Sequence, residues 1–171
     1  MLRTLKAVAI AIVTSASVSC VTGPSISKED KIAGKTFTPP QGKALVYIYR
    51  NSSLATITGV TKCWLDRNFV GNLGSGTYMA IPVSPGQHTV DSFRDPNNSE
   101  PRLAPTVRFV ATAGKSCFVR QTLNTRPAGV IMAGPTPALV PSIHFELSNV
   151  SETTGRAEVS KGRQVGFKGN F

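Results

Sequence analysis

Two histidines and nine carboxylates are the side chains that could carry acid–base chemistry in this chain of 171 residues. Ser142, His144 and Glu146 stand close together and are the residue types of a hydrolytic triad. The surrounding segment alternates between apolar and polar residues, so His144 and Glu146 share the outer face of a predicted strand. A solvated surface is the simpler interpretation. The sequence therefore predicts no catalytic residue and no enzymatic activity.

The spacing of the cysteines, histidines and glycines predicts neither a metal site nor a cofactor. Neither C-x-x-C nor H-x-x-x-H occurs in the chain, so a dedicated zinc site is not expected. Gly71-x-x-Gly74-x-Gly76 has the glycines of a dinucleotide fingerprint in the wrong order, and no strand-to-helix unit follows it. This segment indicates a hairpin turn instead.

The first twenty residues have the order of charges and apolar residues found in a secretory signal. Arg3 and Lys6 precede the apolar run Ala7–Val13, which is too short for an ordinary membrane span. The segment Ala16–Cys20 resembles the lipobox of bacterial lipoproteins. That resemblance implies cleavage before Cys20, diacylglycerol on its sulfur and acylation of the new amino group.

The lipobox resemblance implies a location as well as an anchor. Residues 1–19 are the expected signal peptide. Acyl chains such as palmitate on Cys20 would bind a bilayer, because each buried CH₂ contributes about 0.8 kcal/mol of binding free energy. Val21, rather than aspartate, follows Cys20. In Gram-negative lipoproteins this resembles default sorting to the outer membrane, so we expect the periplasmic side of that membrane. Ser17 and Ser19 also suit the ordinary signal peptidase, so plain secretion and an uncleaved anchor stay open.

The chain is basic, with 19 Lys and Arg against 9 Asp and Glu, and a formal net charge of +10. Nucleic acid is the first partner to consider for a basic protein. Export would remove that partner, and the positive charges are dispersed rather than collected in a run. We therefore predict no binding of nucleic acid. Anionic phospholipid, lipopolysaccharide or a cell-wall polymer are better counter-surfaces in the envelope.

Short apolar strands separated by turns occupy residues 43–150. With 15 glycines, 12 prolines and only 16% charged residues, the composition disfavours a helical bundle. Ala44–Arg50 (ALVYIYR) is apolar on both faces and predicts a central strand. Turn signals such as Pro85-Gly86 recur along the segment, which is typical of an antiparallel β-sandwich or small barrel. Residues 124–141 predict a loop that contains the apolar run Gly129–Gly134.

Two segments flank this predicted domain. Residues 20–42 are polar and contain Pro39-Pro40, so they predict a flexible tether that could reach about 75 Å when fully extended. Residues 151–161 predict a short helix with Ser151 as its N-cap, although Gly155 lowers the helix propensity. The remaining residues, to 171, predict a basic tail.

The other two cysteines predict a disulfide. If Cys20 carries lipid, Cys63 and Cys117 remain as a pair in an oxidising compartment. Each has apolar neighbours on the same face of its predicted strand, so both can point inward. A bridge between them would contribute about 4 kcal/mol by closing a long loop in the unfolded chain. Two buried free thiols are the alternative.

Several short motifs in this order of strands resemble one bacterial lipoprotein family. The motifs are ALVYIYR at 44–50, WLDRNFVGNL at 64–73, GTY at 76–78, VSPGQH at 83–88 and AGKSCFV at 113–119. They resemble the family described as domain of unknown function 2846, over roughly residues 43–150. The resemblance implies a compact β-sandwich of the transthyretin-like or carboxypeptidase-regulatory type, and it implies no catalytic residues.

These observations together predict a non-enzymatic envelope lipoprotein. Acylated Cys20 is its expected contact with the bilayer, and exposed faces or residues Gly129–Gly134 are its expected contacts with an envelope protein or assembly. A carrier or binder of a small apolar or glycan ligand is the alternative, which a deep apolar pocket beside Asn124–Pro141 would favour. An enzyme is the third hypothesis, and it requires His88, His144 and an acid in one cleft.

Overall fold

The computed structural model describes residues 25–53, 59–93, 105–133, 136–169 and 171, and within these it describes side chains outside 125–144. The predicted signal peptide over residues 1–19 and the predicted lipidation site Cys20 lie outside the described residues. Neither described helix is long and apolar enough to cross a membrane.

The described chain is mainly β and forms two sheets with two short helices. The elements in chain order are α1 (Lys28–Thr36), β1 (Ala44–Arg50), β2 (Thr61–Leu65), β3 (Asn68–Leu73), β4 (Thr77–Val83), β5 (Gly86–Phe93), β6 (Thr106–Ala111), β7 (Ser116–Ala133), β8 (Thr136–Val150), α2 (Glu152–Val159) and β9 (Arg163–Gln164). A five-stranded sheet has the order β8-β7-β1-β4-β9, and a four-stranded sheet has the order β3-β2-β5-β6. The two sheets form a sandwich-like arrangement, which confirms the prediction of a mainly β, two-sheet fold.

The five-stranded sheet is mixed, which corrects the expectation of a wholly antiparallel sandwich. β1 is antiparallel to β4, with Ala44 opposite Val83, but parallel to β7, with Val46 opposite Cys117. β9 is also parallel to its neighbour β4. A parallel pair needs a long crossover connection. Here the chain between β1 and β7 forms the whole four-stranded sheet before it returns.

β1 is the central strand, and both of its faces are buried. Every residue of Ala44–Arg50 is buried. Val46 and Ile48 lie in the apolar core between the two sheets, whereas Leu45 and Tyr47 lie in a second cluster beneath the two helices. The molecule therefore has three layers, and the prediction of a doubly buried central strand is confirmed.

Residues 28–36 form α1, so the prediction of a flexible tether over 20–42 is wrong for this part. Ser27 caps the helix, since its Oγ accepts a hydrogen bond from the Asp30 backbone N–H at 3.0 Å. On the sheet side, the Tyr47 hydroxyl donates to the Gly34 carbonyl at 3.1 Å. α1 is thus packed on the five-stranded sheet, and within the described residues the folded part begins at Ser27 rather than at residue 43.

α2 confirms the predicted helix near residues 151–161. Ser151 is its N-cap and accepts a hydrogen bond from the Thr154 backbone N–H at 3.3 Å. Gly155 is buried against the sheet, and a Cβ built there would overlap the ring of Phe118. The glycine that weakens the helix is therefore the residue that allows its close approach to the sheet.

The segment after Gly162 closes one side of the core, so it is not a free basic tail. The backbone N–H of Val165 donates to a β4 carbonyl, and that of Lys168 donates to a β3 carbonyl, both at 2.8 Å. Val165 is buried in the core between the sheets, and Phe167 and Phe171 pack against that core. This segment joins the edge of one sheet to the edge of the other.

β7 and β8 extend far beyond the other strands of their sheet. β1 pairs with β7 only as far as Gln121, and beyond this point β7 is paired with β8 alone within the described residues. We call Thr122–Ala133 with Thr136–Glu146 the β7–β8 ribbon. At about 3.3 Å per residue, it is about 40 Å long. The predicted loop over 124–141 is therefore wrong, apart from residues 134–135, which lie outside the described residues.

Candidate functional site

Two neighbouring cavities open at the end of β1, where the β7–β8 ribbon begins. The first has a volume of about 260 Å³ and lies between β1, β4 and α2, and the second has about 420 Å³ and lies between β1 and β7. Arg50 and Asn51 line both cavities. We call the pair the β1-end cleft.

Glu158 of α2 is the acidic group in the wall of the β1-end cleft. Its carboxylate accepts hydrogen bonds from the Tyr49 hydroxyl at 2.5 Å and from Arg120 Nη1 at 3.2 Å. Burial opposes ionisation of this group, but hydrogen bonds from Tyr49 and Asn51 and the charge of Arg120 together lower the pKa of Glu158. Burial and the bond to the carboxylate raise the pKa of Tyr49.

These shifts leave Glu158 ionised and Tyr49 protonated at neutral pH. Neither pKa lies near 7, which is where an acid–base catalyst is most effective. Arg120 Nε is buried and has no hydrogen-bond partner within the described part of the chain. The side chains of Asn51, Arg120 and Thr122 line the second cavity, so the β1-end cleft offers hydrogen-bonding groups to a small polar ligand.

The contribution of Glu158 to stability is expected to depend on pH. A carboxyl whose pKa is lower in the folded chain stabilises the fold above its unfolded pKa, about 4.3, and this contribution disappears as the pH falls through the folded pKa. Glu158→Gln is therefore expected to lower the free energy of unfolding by about 2 kcal/mol at pH 7. Urea denaturation at pH 7 and pH 3 measures the difference, which should be much smaller in acid.

The matched control for this prediction is Glu152→Gln on the same helix. Glu152 forms an exposed pair with Arg156 at 2.7 Å, and exposed pairs contribute little to stability. The prediction is wrong if Glu158→Gln lowers the free energy of unfolding equally at both pH values, or by no more than Glu152→Gln does.

A row of buried polar side chains joins the two sheets beside the β1-end cleft. Thr61 of β2 donates to Gln121 Oε1 of β7 at 2.8 Å, and Gln121 Nε2 donates to Ser92 Oγ of β5. Ser92 in turn donates to the Lys62 carbonyl at 3.2 Å. Each of these bonds satisfies a polar group that would otherwise cost about 1–3 kcal/mol to bury. No local sequence pattern predicts this row, because its members come from three separate strands.

Cys63 and Cys117 are free thiols, so the structure does not contain the predicted disulfide. Cys63 is buried in the core and Cys117 is half-buried against it, and the two thiols have different partners. Cys63 Sγ lies 3.5 Å from Ser92 Oγ, and Cys117 Sγ lies 3.7 Å from the Val110 carbonyl. Burial raises the pKa of Cys63 to about 12, and burial with the charge of Glu152 raises the pKa of Cys117. Both groups are therefore protonated at neutral pH.

The two histidines lie in different sheets. His88 in β5 has Nδ1 at 2.6 Å from Asp66 Oδ2 and Nε2 at 2.8 Å from the Ser84 carbonyl. Asp66 belongs to the turn between β2 and β3, so His88 ties this turn to β5. His144 in β8 lies opposite Asn124 in the β7–β8 ribbon, and its side chain is outside the described residues. The described residues contain no cluster of three or more ligands that could bind a metal.

The outer part of the β7–β8 ribbon is uncharged. No charged residue occurs from Pro127 to Ile143. The register places Val130 opposite Leu139 and Ile131 opposite Ala138. Successive residues of a strand lie on opposite faces, so apolar residue types occupy both faces of the ribbon. A concentration of apolar residue types in one element is typical of an interaction site.

No protein-family model matches the chain, and no curated protein matches it. The resemblance to the family described as domain of unknown function 2846 stays a prediction from the motifs. A sandwich-like fold alone implies no activity, so the side chains of the candidate site are what indicate function.

Proposed function

We propose that this protein is a non-enzymatic, lipid-anchored envelope protein that presents the β7–β8 ribbon to a partner protein. The observation that supports this most strongly is the uncharged stretch 127–143, which lies in a ribbon that extends about 40 Å beyond the sheet. A two-stranded hairpin alone is marginally stable in water. A partner that covers its faces would supply the missing apolar contacts.

The backbone of the β7–β8 ribbon favours a protein partner over the hydrocarbon of a bilayer. An open two-stranded ribbon has backbone N–H and C=O groups along its outer edges, which hydrocarbon cannot satisfy. Pro127, Pro137 and Pro141 also lack the N–H donors that an added strand would need. We therefore expect the partner to bind the faces of the ribbon through apolar contacts.

Lipid anchoring rests on the signal-like residues 1–19 and the lipobox that ends at Cys20. The non-enzymatic part of the proposal is supported by the use of the polar groups. His88 ties a turn to β5, and the Glu158 carboxylate is occupied by three hydrogen-bond donors. The outer membrane is the proposed location because Val21 follows Cys20.

The anchor is tested by the intact mass and the fractionation of the native protein. We expect the membrane fraction to contain a chain that begins at Cys20 and carries an acylated glycerol. Cys20→Ser is expected to remove the acyl mass, whereas Ser25→Ala, a nearby control, is expected to keep it. A bare chain in the soluble fraction would overturn the anchored form of the proposal.

The ribbon contact is tested by site-specific photo-crosslinking of the full chain in cells. A photoreactive residue at Ile131 is expected to give one adduct of defined mass. The same residue at Val110, which is 66% exposed on β6, is the control and is expected to give none. Val130→Asp should abolish the adduct while the chain stays folded. Equal labelling from both positions would overturn the proposal, and an adduct of twice the protomer mass would identify a second copy as the partner.

Binding of a small polar ligand such as a glycan is the second candidate function. It is supported by the 420 Å³ cavity lined by Arg120, Thr122 and Asn51. A ligand that binds only the folded chain raises its stability with concentration. Soluble cell-wall glycan fragments are therefore expected to raise the unfolding temperature of the wild type but not of Arg120→Met. No rise for the wild type would remove this candidate.

A further inference from the structure

The outer face of α1 carries three lysines around an exposed isoleucine. Lys28, Lys31, Ile32 and Lys35 follow the spacing i, i+3, i+4, i+7, so they lie on one face of the helix. All four are exposed, and Ile32 is 54% exposed although it is apolar. We call these four residues the lysine face.

The lysine face has a fixed orientation because the opposite side of α1 is bound to the domain. Gln164 Nε2 donates to the Asp30 carbonyl at 3.2 Å, and Gly34 is buried against the sheet. Phe37 at the end of the helix packs on the ring of Tyr47, with a centroid distance of 5.1 Å. The lysine face therefore points outward as part of a rigid unit.

The charges around the lysine face leave it basic. Glu29 is the exposed acid beside it. The Asp30 carboxylate accepts a hydrogen bond from the Ser27 hydroxyl at 2.8 Å, so it is engaged at the N-cap. An apolar residue among lysines on a helix surface is the pattern of a segment that lies at the interface of an anionic membrane.

We propose that the lysine face of α1 docks on the anionic headgroups of the membrane in which Cys20 is anchored. This inference rests on the proposed lipidation of Cys20. Seven residue steps separate Cys20 from the N-cap Ser27, so the anchor and the helix are at most about 25 Å apart. Ile32 would enter the headgroup region, and the three lysines would strengthen the contact about 100-fold, since each adds about a factor of five.

The consequence of this docking is a defined orientation of the whole domain. Because α1 is packed on the five-stranded sheet, docking fixes the sheet relative to the membrane surface. The β7–β8 ribbon belongs to the same sheet, so it would project at a constant angle toward its partner.

Lysine acetylation of the purified full-length lipoprotein in vesicles tests the docking. We expect Lys28, Lys31 and Lys35 to react about tenfold more slowly in vesicles of phosphatidylcholine with phosphatidylglycerol than in phosphatidylcholine alone. Lys115, which is exposed in the turn between β6 and β7, is the internal control and should react equally in both. The protection should decrease in molar salt, because salt screens exposed charges.

Ile32→Asp provides the matched variant, since Ile32 is exposed and its replacement leaves the packed side of α1 intact. It should abolish the protection while the acyl chains stay on Cys20, and Val110→Asp should leave the protection unchanged. If the protein carries the acyl mass but its lysines react equally in both kinds of vesicle, the docking proposal is wrong and the lipid anchor is not affected. A chain without acyl mass would overturn the anchor and, with it, this inference.

Discussion

Gln121→Glu is expected to lower the free energy of unfolding at pH 7 by about 4 kcal/mol. Gln121 is only 2% exposed, and both ends of its amide are hydrogen-bonded inside the core. A carboxylate at this position would lose its hydration, so burial would raise its pKa by about three units or more. Each unit corresponds to 1.36 kcal/mol.

The pH dependence identifies the cause of this loss. Because the folded pKa lies above the unfolded value of about 4.3, the penalty is absent below pH 4 and increases until the pH passes the folded pKa. The protonated acid can donate to Ser92 in place of the amide, so the variant should approach wild-type stability in acid. Urea denaturation from pH 3 to pH 8 measures this. Asn124→Asp, an exposed change on the same strand, should have little effect, and a loss for Gln121→Glu that does not vary with pH would contradict the argument.

Gly155→Ala is expected to destabilise the protein by about 3 kcal/mol, although alanine favours a helix by about 1 kcal/mol over glycine. The added Cβ would overlap the ring of Phe118. That ring is stacked on Tyr47 at a centroid distance of 4.8 Å, so it cannot move without disturbing the cluster beneath the helices. Thermal or urea unfolding of Gly155→Ala and the wild type measures this difference in the free energy of unfolding.

Thr153→Ala is the control for Gly155→Ala, since Thr153 is exposed on the same helix. This control substitution should be neutral or slightly stabilising. In a double-mutant cycle with Phe118→Leu, the combined loss should be smaller than the sum of the single losses, because the smaller side chain relieves the overlap. Additive losses would show that the contact between α2 and the sheet is not the cause.

The sequence predicted those parts of the fold whose signals are local. ALVYIYR is apolar on both faces, and only a strand between two covering layers can bury all of it. Ser151 marked the start of α2 because a side-chain oxygen at an N-cap has a strong local preference. The candidate site had no such signal. Tyr49, Arg120 and Glu158 come from three elements, and only the tertiary fold brings them together.

The sequence did not predict α1 or the β7–β8 ribbon, and the reasons differ. The buried side of α1 is built on Gly34, so the helix has no apolar stripe in the sequence. The ribbon is rich in proline and glycine, which predict a loop, and its strands are visible only through their mutual pairing. The lysine face was not predicted either, because its four residues share a surface only when the segment is helical.

The parallel pairing of β1 with β7 also constrains the order of folding. Val46 pairs with Cys117 about 70 residues later, and the segment after Gly162 closes one side of the core. Non-local pairings of this kind form slowly because the intervening chain has to be ordered first. During synthesis, β1 is therefore without its parallel neighbour until most of the chain has been made. Under the export that we propose for this protein, such a delay favours passage through a membrane channel, because an incompletely folded chain can cross it in extended form.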